Sequence, residues 1–245
     1  MLLAHTNQKS EKGGCVLKRL LSLLLFVVLL LYPVHAAEQP KYLALTFDDG
    51  PSGVYTERLL NGLAQRQVHA TFFLCGYRIE QYPQITQRIA EDGHEIGMHG
   101  DQHRFFTEMS PSEVCDDLSA ATQKLTEAAG CAPTLLRPPG GLYDSLVLQQ
   151  TVCADLPVIL WSVDPEDWRR SDIDGIVRHI TSRVHCGDII LLHDMSNSSV
   201  DAALQVIDQL QAQGYDFVTV SELALLSGTA MESGGVYRKF SFENR

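Results

Sequence analysis

Short apolar runs alternate along the chain with longer segments whose apolar residues recur at helical spacing. Runs rich in apolar, β-branched and aromatic residues predict seven buried strands, at residues 42–47, 70–74, 94–98, 134–136, 158–163, 188–192 and 216–220. Repeated strand–helix units are typical of an α/β fold with a parallel sheet and helices packed outside it. Seven units in this length predict a small or incomplete barrel rather than a full barrel of eight units.

Two helices have recognisable boundaries in the sequence. Residues 110–113 (Ser-Pro-Ser-Glu) have the form of a capping box with proline at the first helical position, and Gly130 ends that helix. A later helix is predicted to begin at Ser198 and to close at Gly214. Its apolar face consists of Val200, Leu204, Ile207 and Leu210.

The N-terminal segment has the pattern of a targeting sequence. Lys18 and Arg19 precede an apolar run over residues 20–32, and residues 34–36 (Val-His-Ala) place small residues where signal peptidase cleaves. The run is shorter than a membrane span, which needs about 20 apolar residues. We therefore expect residues 1–36 to be a secretory signal peptide, with an uncleaved N-terminal anchor as the alternative. Either way, the rest of the chain is expected to be secreted or held at the outer face of the membrane.

Residues 41–227 are predicted to form a single domain, because they are long enough to bury one substantial core. Residues 37–40 would be a short linker before it. After the domain, Ser227-Gly228 and Ser233-Gly234-Gly235 have the composition of a linker, and weak alternation of apolar and polar residues follows. We expect residues 228–245 to be a flexible tail or a late edge strand.

The charge balance is acidic. The whole chain has a formal net charge of −11, and without residues 1–36, which hold four of the 19 basic and one of the 30 acidic residues, the charge is −14. Such a surface disfavours nucleic acid and anionic membranes as partners, but it does not repel a neutral sugar polymer. Membrane association is therefore expected only through the N-terminal segment.

Five of the six cysteines lie outside residues 1–36. An odd number without a C-x-x-C spacing fits neither a disulfide framework nor a thiolate zinc site. Cys75, Cys115 and Cys153 fall within apolar patterns, which favours small buried side chains. A Cys131–Cys153 disulfide stays open as an alternative.

Side chains capable of catalysis directly follow five of the predicted strands. In parallel α/β folds the carboxyl ends of the strands share one face, and that face holds the functional site. The sequence therefore predicts that groups far apart in the chain converge there. These groups are Asp48 and Asp49, His99 and His103, Arg137-Pro-Pro-Gly-Gly141, Asp164-Pro-Glu-Asp167-Trp168, and His193.

Asp49, His99 and His103 form a candidate metal site. Two imidazoles four residues apart can reach one ion, and Asp49 adds a carboxylate while positions for water and substrate remain free. This mixed ligand set suits Zn²⁺, and also Co²⁺, Ni²⁺, Mn²⁺ or Fe²⁺. The alternatives are solvent-exposed histidines and an Asp-Asp-Gly segment that is ordinary turn chemistry.

Asp48 and His193 are candidates for general base and general acid. Asp48 beside a cation should stay ionised and could take a proton from water, while His193 emerges at the site from a buried strand. Arg137 would orient Asp48, and Asp167 would favour the protonated form of His193. The alternatives are a structural histidine and plain structural ion pairs.

Two further residues have roles that the pattern leaves open. Trp168 either packs against the domain or stacks an exposed indole face on a sugar ring. Gly140 is either a turn glycine or a residue whose backbone N–H can approach a developing oxyanion, because no side chain is in the way.

With five motifs in order, residues 41–227 resemble the NodB-like polysaccharide deacetylases, carbohydrate esterase family four. The similar segments are Thr46–Pro51, His99–His103 (family pattern H-[S/T]-x-x-H), Arg137–Gly141, Asp164–Trp168 (D-x-x-D-W) and Leu191–His193 (L-x-H). The resemblance implies a distorted (β/α) barrel of about seven strands. It also implies metal-dependent removal of N-acetyl groups from a β-1,4-linked aminosugar polymer, with peptidoglycan ahead of chitin oligosaccharides. We expect a monomer that acts on such a glycan.

The resemblance further implies a role for each matching residue. The metal ligands are Asp49, His99 and His103, and Zn²⁺ ranks ahead of Co²⁺, Ni²⁺ and Mn²⁺. The catalytic base is Asp48, oriented by Arg137, and the acid is His193, tuned by Asp167. The backbone N–H of Gly140 stabilises the oxyanion, and Leu191 lines the pocket for the acetyl methyl group.

Gly100 departs from the family pattern, which has Ser or Thr at that position. Loss of such a supporting hydrogen bond typically weakens metal binding by about 10- to 100-fold, and Asp101 is a candidate substitute. O-acetyl polysaccharide esterases use the same motifs, so that reaction stays an alternative. A catalytically silent glycan-binding domain is the other alternative, although neither the acid, the base nor a ligand is missing.

Overall fold

β1 (Lys41–Asp48) is the central strand of a parallel sheet in the computed structural model, which describes residues 40–242 except the side chains of residues 151–153. The other strands in that range are β2 (Thr71–Leu74), β3 (Glu95–Met98), β4 (Val158–Ile159), β5 (Ile189–His193), β6 (Tyr215–Val218) and β7 (Val236–Tyr237). The helices there are α1 (Gly53–Arg66), α2 (Gly76–Gln81), α3 (Pro83–Glu91), α4 (Pro111–Ala129), α5 (Ser145–Cys153), α6 (Ile173–Thr181), α7 (Asn197–Gln211) and α8 (Val220–Ser227). Short 3₁₀ turns cover Phe106–Glu108, Pro139–Gly141 and Asp167–Arg169.

The sheet closes into a distorted barrel, and β1 is the strand in its wall that pairs with β2, β5 and β6. The strand order is β3-β2-β1-β5, and β6 pairs with the first half of β1 while β2 pairs with its second half. On the far side isolated parallel bridges replace full ladders, at Met98–Leu136, Leu136–Val158 and Val163–Ile190. The parallel sheet and the helices confirm the α/β fold predicted from the sequence.

Two of the predicted strands are shorter than the apolar pattern indicates. Residues 134–136 contribute a single bridge position, and residues 158–163 pair only over β4 and at one later bridge. The side chain of Arg137 explains the interruption, because its Nε and Nη2 each donate a 3.0 Å hydrogen bond, to the carbonyls of Ile159 and Leu160. Those carbonyls are then taken by a side chain rather than by a neighbouring strand.

The side chains of β1 alternate between two faces, and the face that begins with Ala44 ends at the carboxyl end of the strand, where the candidate catalytic residues lie. Large side chains such as Phe47 pack in the main core cluster with the helices, whereas Ala44 belongs to a second cluster. Thr46 and Asp48 continue the face of Ala44, because side chains two residues apart share a face. Both are buried. The strand therefore delivers a carboxylate at its carboxyl end, inside the barrel.

α4 confirms the helix predicted from its capping box. The hydroxyl of Ser110 accepts a hydrogen bond from the N–H of Glu113, and the Glu113 carboxylate accepts one from the N–H of Ser110. Gly130 ends the helix in the left-handed conformation, with a φ of 68°.

The predicted boundaries of α7 are wrong by a few residues. Ser196 rather than Ser198 is the N-cap, and its hydroxyl accepts a 3.1 Å hydrogen bond from the N–H of Ser199. The helix ends at Gln211, before Gly214. Several hydroxyl side chains stand close together here, so the sequence offered more than one cap.

The C-terminal segment forms a short strand. β7 pairs with β4 in a register that joins Val158 to Val236, and Phe240 after it is buried. Among residues 40–242, no helix is both long and apolar enough to cross a membrane. The predicted signal peptide or anchor at residues 1–36 lies outside the described residues.

The cysteines whose side chains are described are free thiols: Cys75, Cys115, Cys131 and Cys186. Cys75 is fully buried, in agreement with its apolar sequence context, and Cys115 is half-buried. The side chain of Cys153, the other half of the disulfide considered above, lies outside the described residues.

Candidate active site

Arg137 holds Asp48 from inside the barrel. Its fully buried guanidinium donates hydrogen bonds to Asp48 Oδ1 at 2.6 Å and to Thr46 Oγ1 at 2.9 Å. It also lies 4.0 Å from the ring centroid of Phe73. Burial lowers the pKa of Arg137, and the charge of Asp48 opposes that shift. One oxygen of Asp48 is thereby fixed, and Oδ2 lies 3.6 Å from Nε2 of His99.

Asp49 turns to the same site because its backbone leaves the strand geometry. Its φ of 70° is in the left-handed region, which ends the alternation of β1. Its Oδ1 lies 3.1 Å from Nε2 of His103 and 3.4 Å from Nε2 of His99. Burial raises the pKa of Asp49, but the two imidazoles outweigh burial and hold that pKa well below its usual value. Asp49 is therefore ionised at neutral pH.

His99 presents a defined nitrogen to this carboxylate. Its Nδ1 lies 2.7 Å from the backbone oxygen of Arg137. Because a carbonyl oxygen can only accept a hydrogen bond, Nδ1 carries a proton. In the neutral ring Nε2 then has its lone pair available on the side of Asp49.

Asp49, His99 and His103 fit a divalent cation. One ligand atom from each residue lies within 4.8 Å of the others. Asp49 Oδ1 is buried against the two imidazole nitrogens, and a cation bound among the three groups would compensate the cost of burying its charge. One carboxylate and two imidazoles suit an ion such as Zn²⁺ and leave coordination positions free. The predicted ligand set is therefore assembled in space.

Asp167 binds His193 at two points. Its Oδ1 lies 2.8 Å from Nδ1 of the ring, and its Oδ2 accepts a 2.9 Å hydrogen bond from the N–H of the same histidine. Burial lowers the pKa of His193, but the hydrogen bond and charge of Asp167, with the charges of Asp48 and Asp49, raise it to about 9. The imidazole is therefore protonated at neutral pH in the protein without an ion.

A cleft of about 390 Å³ opens beside His193. Asp49, Asp167 and Trp168 are among the residues that line it, and Trp168 is 65% exposed, as expected at the rim of the cleft. Trp168 is thus free to meet a ligand rather than packed in the core. Leu191 lies two residues before His193 on β5, so the two side chains share a face of the strand.

Gly140 lies next to two exposed apolar side chains, those of Phe105 and Leu142. Its φ of 65° is in the left-handed region. A Cβ at this position would lie 3.1 Å from Cε1 of Phe105 and 3.7 Å from Cγ of Leu142. Phe105 and Leu142 are 39% and 47% exposed. Glycine keeps this backbone accessible between them.

Sequence reasoning missed several residues that shape the site. Phe105 and Leu142 carry no motif signal, and only the tertiary fold brings Phe105 to Gly140. Asp101 is the predicted substitute for the missing Ser or Thr hydroxyl that supports the ligand loop. Its carboxylate instead accepts hydrogen bonds from Lys124 at 2.8 Å and from Gln102 at 2.7 Å. The loop is supported instead by Asp117, whose carboxylate accepts from the N–H of Asp101.

Comparison with known proteins gives a consistent picture. A family model described as polysaccharide deacetylase matches residues 35–159. Over 75% of its length, the chain is 39% identical to the peptidoglycan-N-acetylmuramic acid deacetylase PdaC of Bacillus subtilis, of which it spans 38%. Also over 75% of its length, it is 38% identical to a peptidoglycan-N-acetylglucosamine deacetylase of Bacillus cereus, of which it spans 88%.

A solved structure is similar over most of the fold. It is the family 4 acetyl xylan esterase from Clostridium thermocellum, in complex with a cobalt ion. The TM-score is 0.76 at 30% sequence identity, and the match covers 81% of this chain and 98% of that one.

Proposed function

The chain belongs to the polysaccharide deacetylase family, and from that premise we propose that it hydrolyses N-acetyl groups on a β-1,4-linked aminosugar polymer. Peptidoglycan is the first candidate substrate, because the Bacillus cereus relative that it matches over most of its length acts on peptidoglycan N-acetylglucosamine. Chitin oligosaccharides are the second. The observation that carries the proposal is the register of β1 and β5, which pairs the buried carboxylate residue Asp48 with His193.

Asp48 is the general base. Arg137 occupies its Oδ1, so Oδ2 is the oxygen that takes a proton from the attacking water. The oxygen of that water forms the new bond to the acetyl carbonyl carbon. Because Arg137 also makes hydrogen bonds to Thr46 and to two backbone carbonyls, it cannot follow the carboxylate, and the base keeps one orientation.

Asp49, His99 and His103 would hold a divalent cation, with Zn²⁺ the first candidate and Co²⁺, Ni²⁺ or Mn²⁺ the alternatives. The related esterase structure, which contains cobalt, supports this assignment. When bound, such an ion polarises the acetyl carbonyl and makes nearby water more acidic. Arg137 serves this part of the site as well, because its backbone oxygen orients the ring of His99.

Gly140 and His193 complete the reaction. The N–H of Gly140 donates to the carbonyl oxygen as negative charge develops on it. His193 then gives the proton on Nε2 to the amide nitrogen while the C–N bond breaks, which releases acetate and a free amino sugar. Trp168 at the rim of the cleft offers an apolar face to the sugar ring. Proton exchange with solvent restores Asp48 and His193.

We place the enzyme outside the cytosol, secreted or anchored through residues 1–36, and acting as a monomer. The support for the location is the basic and apolar pattern of that segment.

Hydrolysis of O-acetyl esters is the alternative reaction. The similarity to an acetyl xylan esterase favours it, since the same acid, base and ligands would serve an ester. A silent glycan-binding domain is disfavoured, because Asp48, His193 and the three ligands are all in place.

The test is acetate release by the full-length protein from peptidoglycan, chitin oligomers and acetylated xylan. Each substrate is assayed after chelation and again after addition of Zn²⁺, Co²⁺, Ni²⁺ or Mn²⁺. Metal-restored release from an aminosugar polymer is the expected result. Release from xylan alone would replace the proposal with the esterase, and no release from folded protein with any of these ions would refute both.

A further inference from the structure

Asp117 on α4 contacts the loop that carries both histidine ligands. Its Oδ1 accepts a 2.6 Å hydrogen bond from the backbone N–H of Asp101, midway between His99 and His103. We propose that Asp117 is a positioning residue that fixes this loop in the geometry needed for metal binding, an inference that rests on the proposed function above.

Gly100 leaves Asp117 the room to reach the loop. The φ of Gly100 is 78°, and a Cβ there would lie 3.0 Å from Asp117 Oδ1 and 3.3 Å from Cε1 of Phe106. A serine or threonine, as in the family pattern, would strain this backbone and crowd the carboxylate. Glycine at position 100 and the carboxylate of Asp117 therefore depend on each other, because the carboxylate needs the space that a side chain at position 100 would fill.

The other backbone contacts of the loop do not substitute for Asp117. At the start of α2, the N–H groups of Gly76 and Tyr77 donate to the carbonyls of Gly100 and Asp101, at 3.0 and 2.9 Å. These bonds satisfy acceptors of the loop, whereas Asp117 satisfies a donor. Removing the carboxylate would leave the N–H of Asp101 without this charged partner, and such a loss is expensive at a mostly buried position.

α4 holds Asp101 by its side chain as well. Lys124, seven residues after Asp117 and hence near the same face of the helix, donates to Asp101 Oδ1 at 2.8 Å. Asp101 is therefore bound to one helix through both backbone and carboxylate. This attachment fixes the segment between the two imidazoles.

The experiment measures metal affinity rather than turnover. Co²⁺ is titrated by absorption, and Zn²⁺ by competition with a chromophoric chelator, into the full-length wild type, Asp117→Ala and Asp117→Asn. Asp117→Ala should bind both ions about 10- to 100-fold more weakly. Asp117→Asn keeps an acceptor oxygen and should fall between it and the wild type. Asp116→Ala, on the exposed side of the same helix, is the matched control and should bind within about twofold of the wild type.

Wild-type affinity in folded Asp117→Ala would overturn the inference. If that variant does not fold, Asp117→Asn decides, and affinity equal to that of Asp116→Ala overturns the inference in the same way. A wild type that binds neither ion would contradict the proposed function itself. Normal binding by wild type and variant alike contradicts only the role of Asp117.

The pairing with Gly100 has its own measurement. Gly100→Ser should weaken Co²⁺ binding, and the double variant Gly100→Ser/Asp117→Ala should lose less affinity than the product of the single losses, because the crowding is gone. Losses that simply multiply would show that the two positions act independently and would refute the pairing.

Discussion

Asp167 makes hydrogen bonds to both the ring and the backbone of His193, with Oδ1 2.8 Å from Nδ1 and Oδ2 2.9 Å from the main-chain nitrogen. A carboxylate only accepts, so Nδ1 carries a proton and Nε2 is the nitrogen left to face the cleft. One buried side chain thus sets the orientation of the imidazole and favours its charged form.

This pairing predicts the alkaline limb of the pH profile. Asp167 holds the pKa of His193 above its usual value, so the general acid should lose its proton only at alkaline pH, and kcat/KM should fall there. Asp167→Asn removes the charge that raises the pKa, so the limb should move to lower pH. The profile of acetate release for both proteins tests this, and identical limbs would contradict the role of Asp167.

The same shift predicts a pH dependence of stability in the metal-free protein. The pKa of His193 is raised from 6.5 to about 9 on folding, so its contribution is fully present below pH 6.5 and is lost as pH rises through about 9. The Tm should therefore decline over this window, and the decline should be smaller in Asp167→Asn. Thermal unfolding in chelator from pH 6 to 10 measures it, and equal slopes would argue against the pair.

Asp48→Asn should abolish the base in a chain that still folds but is less stable, because buried Arg137 loses its carboxylate partner. Asparagine still offers an oxygen to Arg137, but it cannot accept a proton from water, so turnover should fall at least about 100-fold. Acetate release and far-UV circular dichroism are the measurements. Asp116→Asn, on the surface of α4, is the control, and near-wild-type activity in Asp48→Asn would remove the assigned role.

Arg137→Met should destabilise the protein strongly. It leaves Asp48 buried without its cation, and breaking a buried pair in this way costs about 3–5 kcal/mol. Urea unfolding measures the change. Arg66→Met breaks the more exposed pair with Asp208 and should cost no more than about 1 kcal/mol. Similar values for both variants would be inconsistent with the buried pair.

Trp168→Ala should weaken polymer binding with little effect on stability. Stacking of an aromatic ring contributes about 0.5–1.5 kcal/mol, which corresponds to roughly a 2- to 13-fold rise in KM. The Tm should hardly change, because the side chain is 65% exposed. Leu225→Ala, 77% exposed on α8, is the control for loss of a surface hydrophobe. An unchanged KM would exclude Trp168 from the binding surface.

The fold and the candidate chemistry were predictable where a local pattern carried them. The capping box of α4 is a local hydrogen-bond arrangement, and the sequence states it fully. Asp48, Asp49, His99 and His103 could be grouped because the rule that functional residues follow parallel strands depends on topology alone.

What the sequence could not supply depends on tertiary contacts. The strand after Leu136 is interrupted because one arginine side chain captures two carbonyls, which no apolar pattern reveals. Asp117 reaches the ligand loop only because α4 packs against it. Phe105 lies close to Gly140 only in the folded structure, so this contact could not be predicted from the sequence.

Because successive side chains of β1 point to opposite faces, catalytic activity depends on the correct register of this strand. Phe47 fills the core and Asp48 enters the site because they are neighbours on opposite faces of one strand. A slip by a single residue would put the aromatic ring where the base belongs and the carboxylate into the apolar core, so both would fail together. A chain with β1 in the wrong register would therefore have no catalytic activity. Activity in a sample accordingly reports that β1 is in its native register.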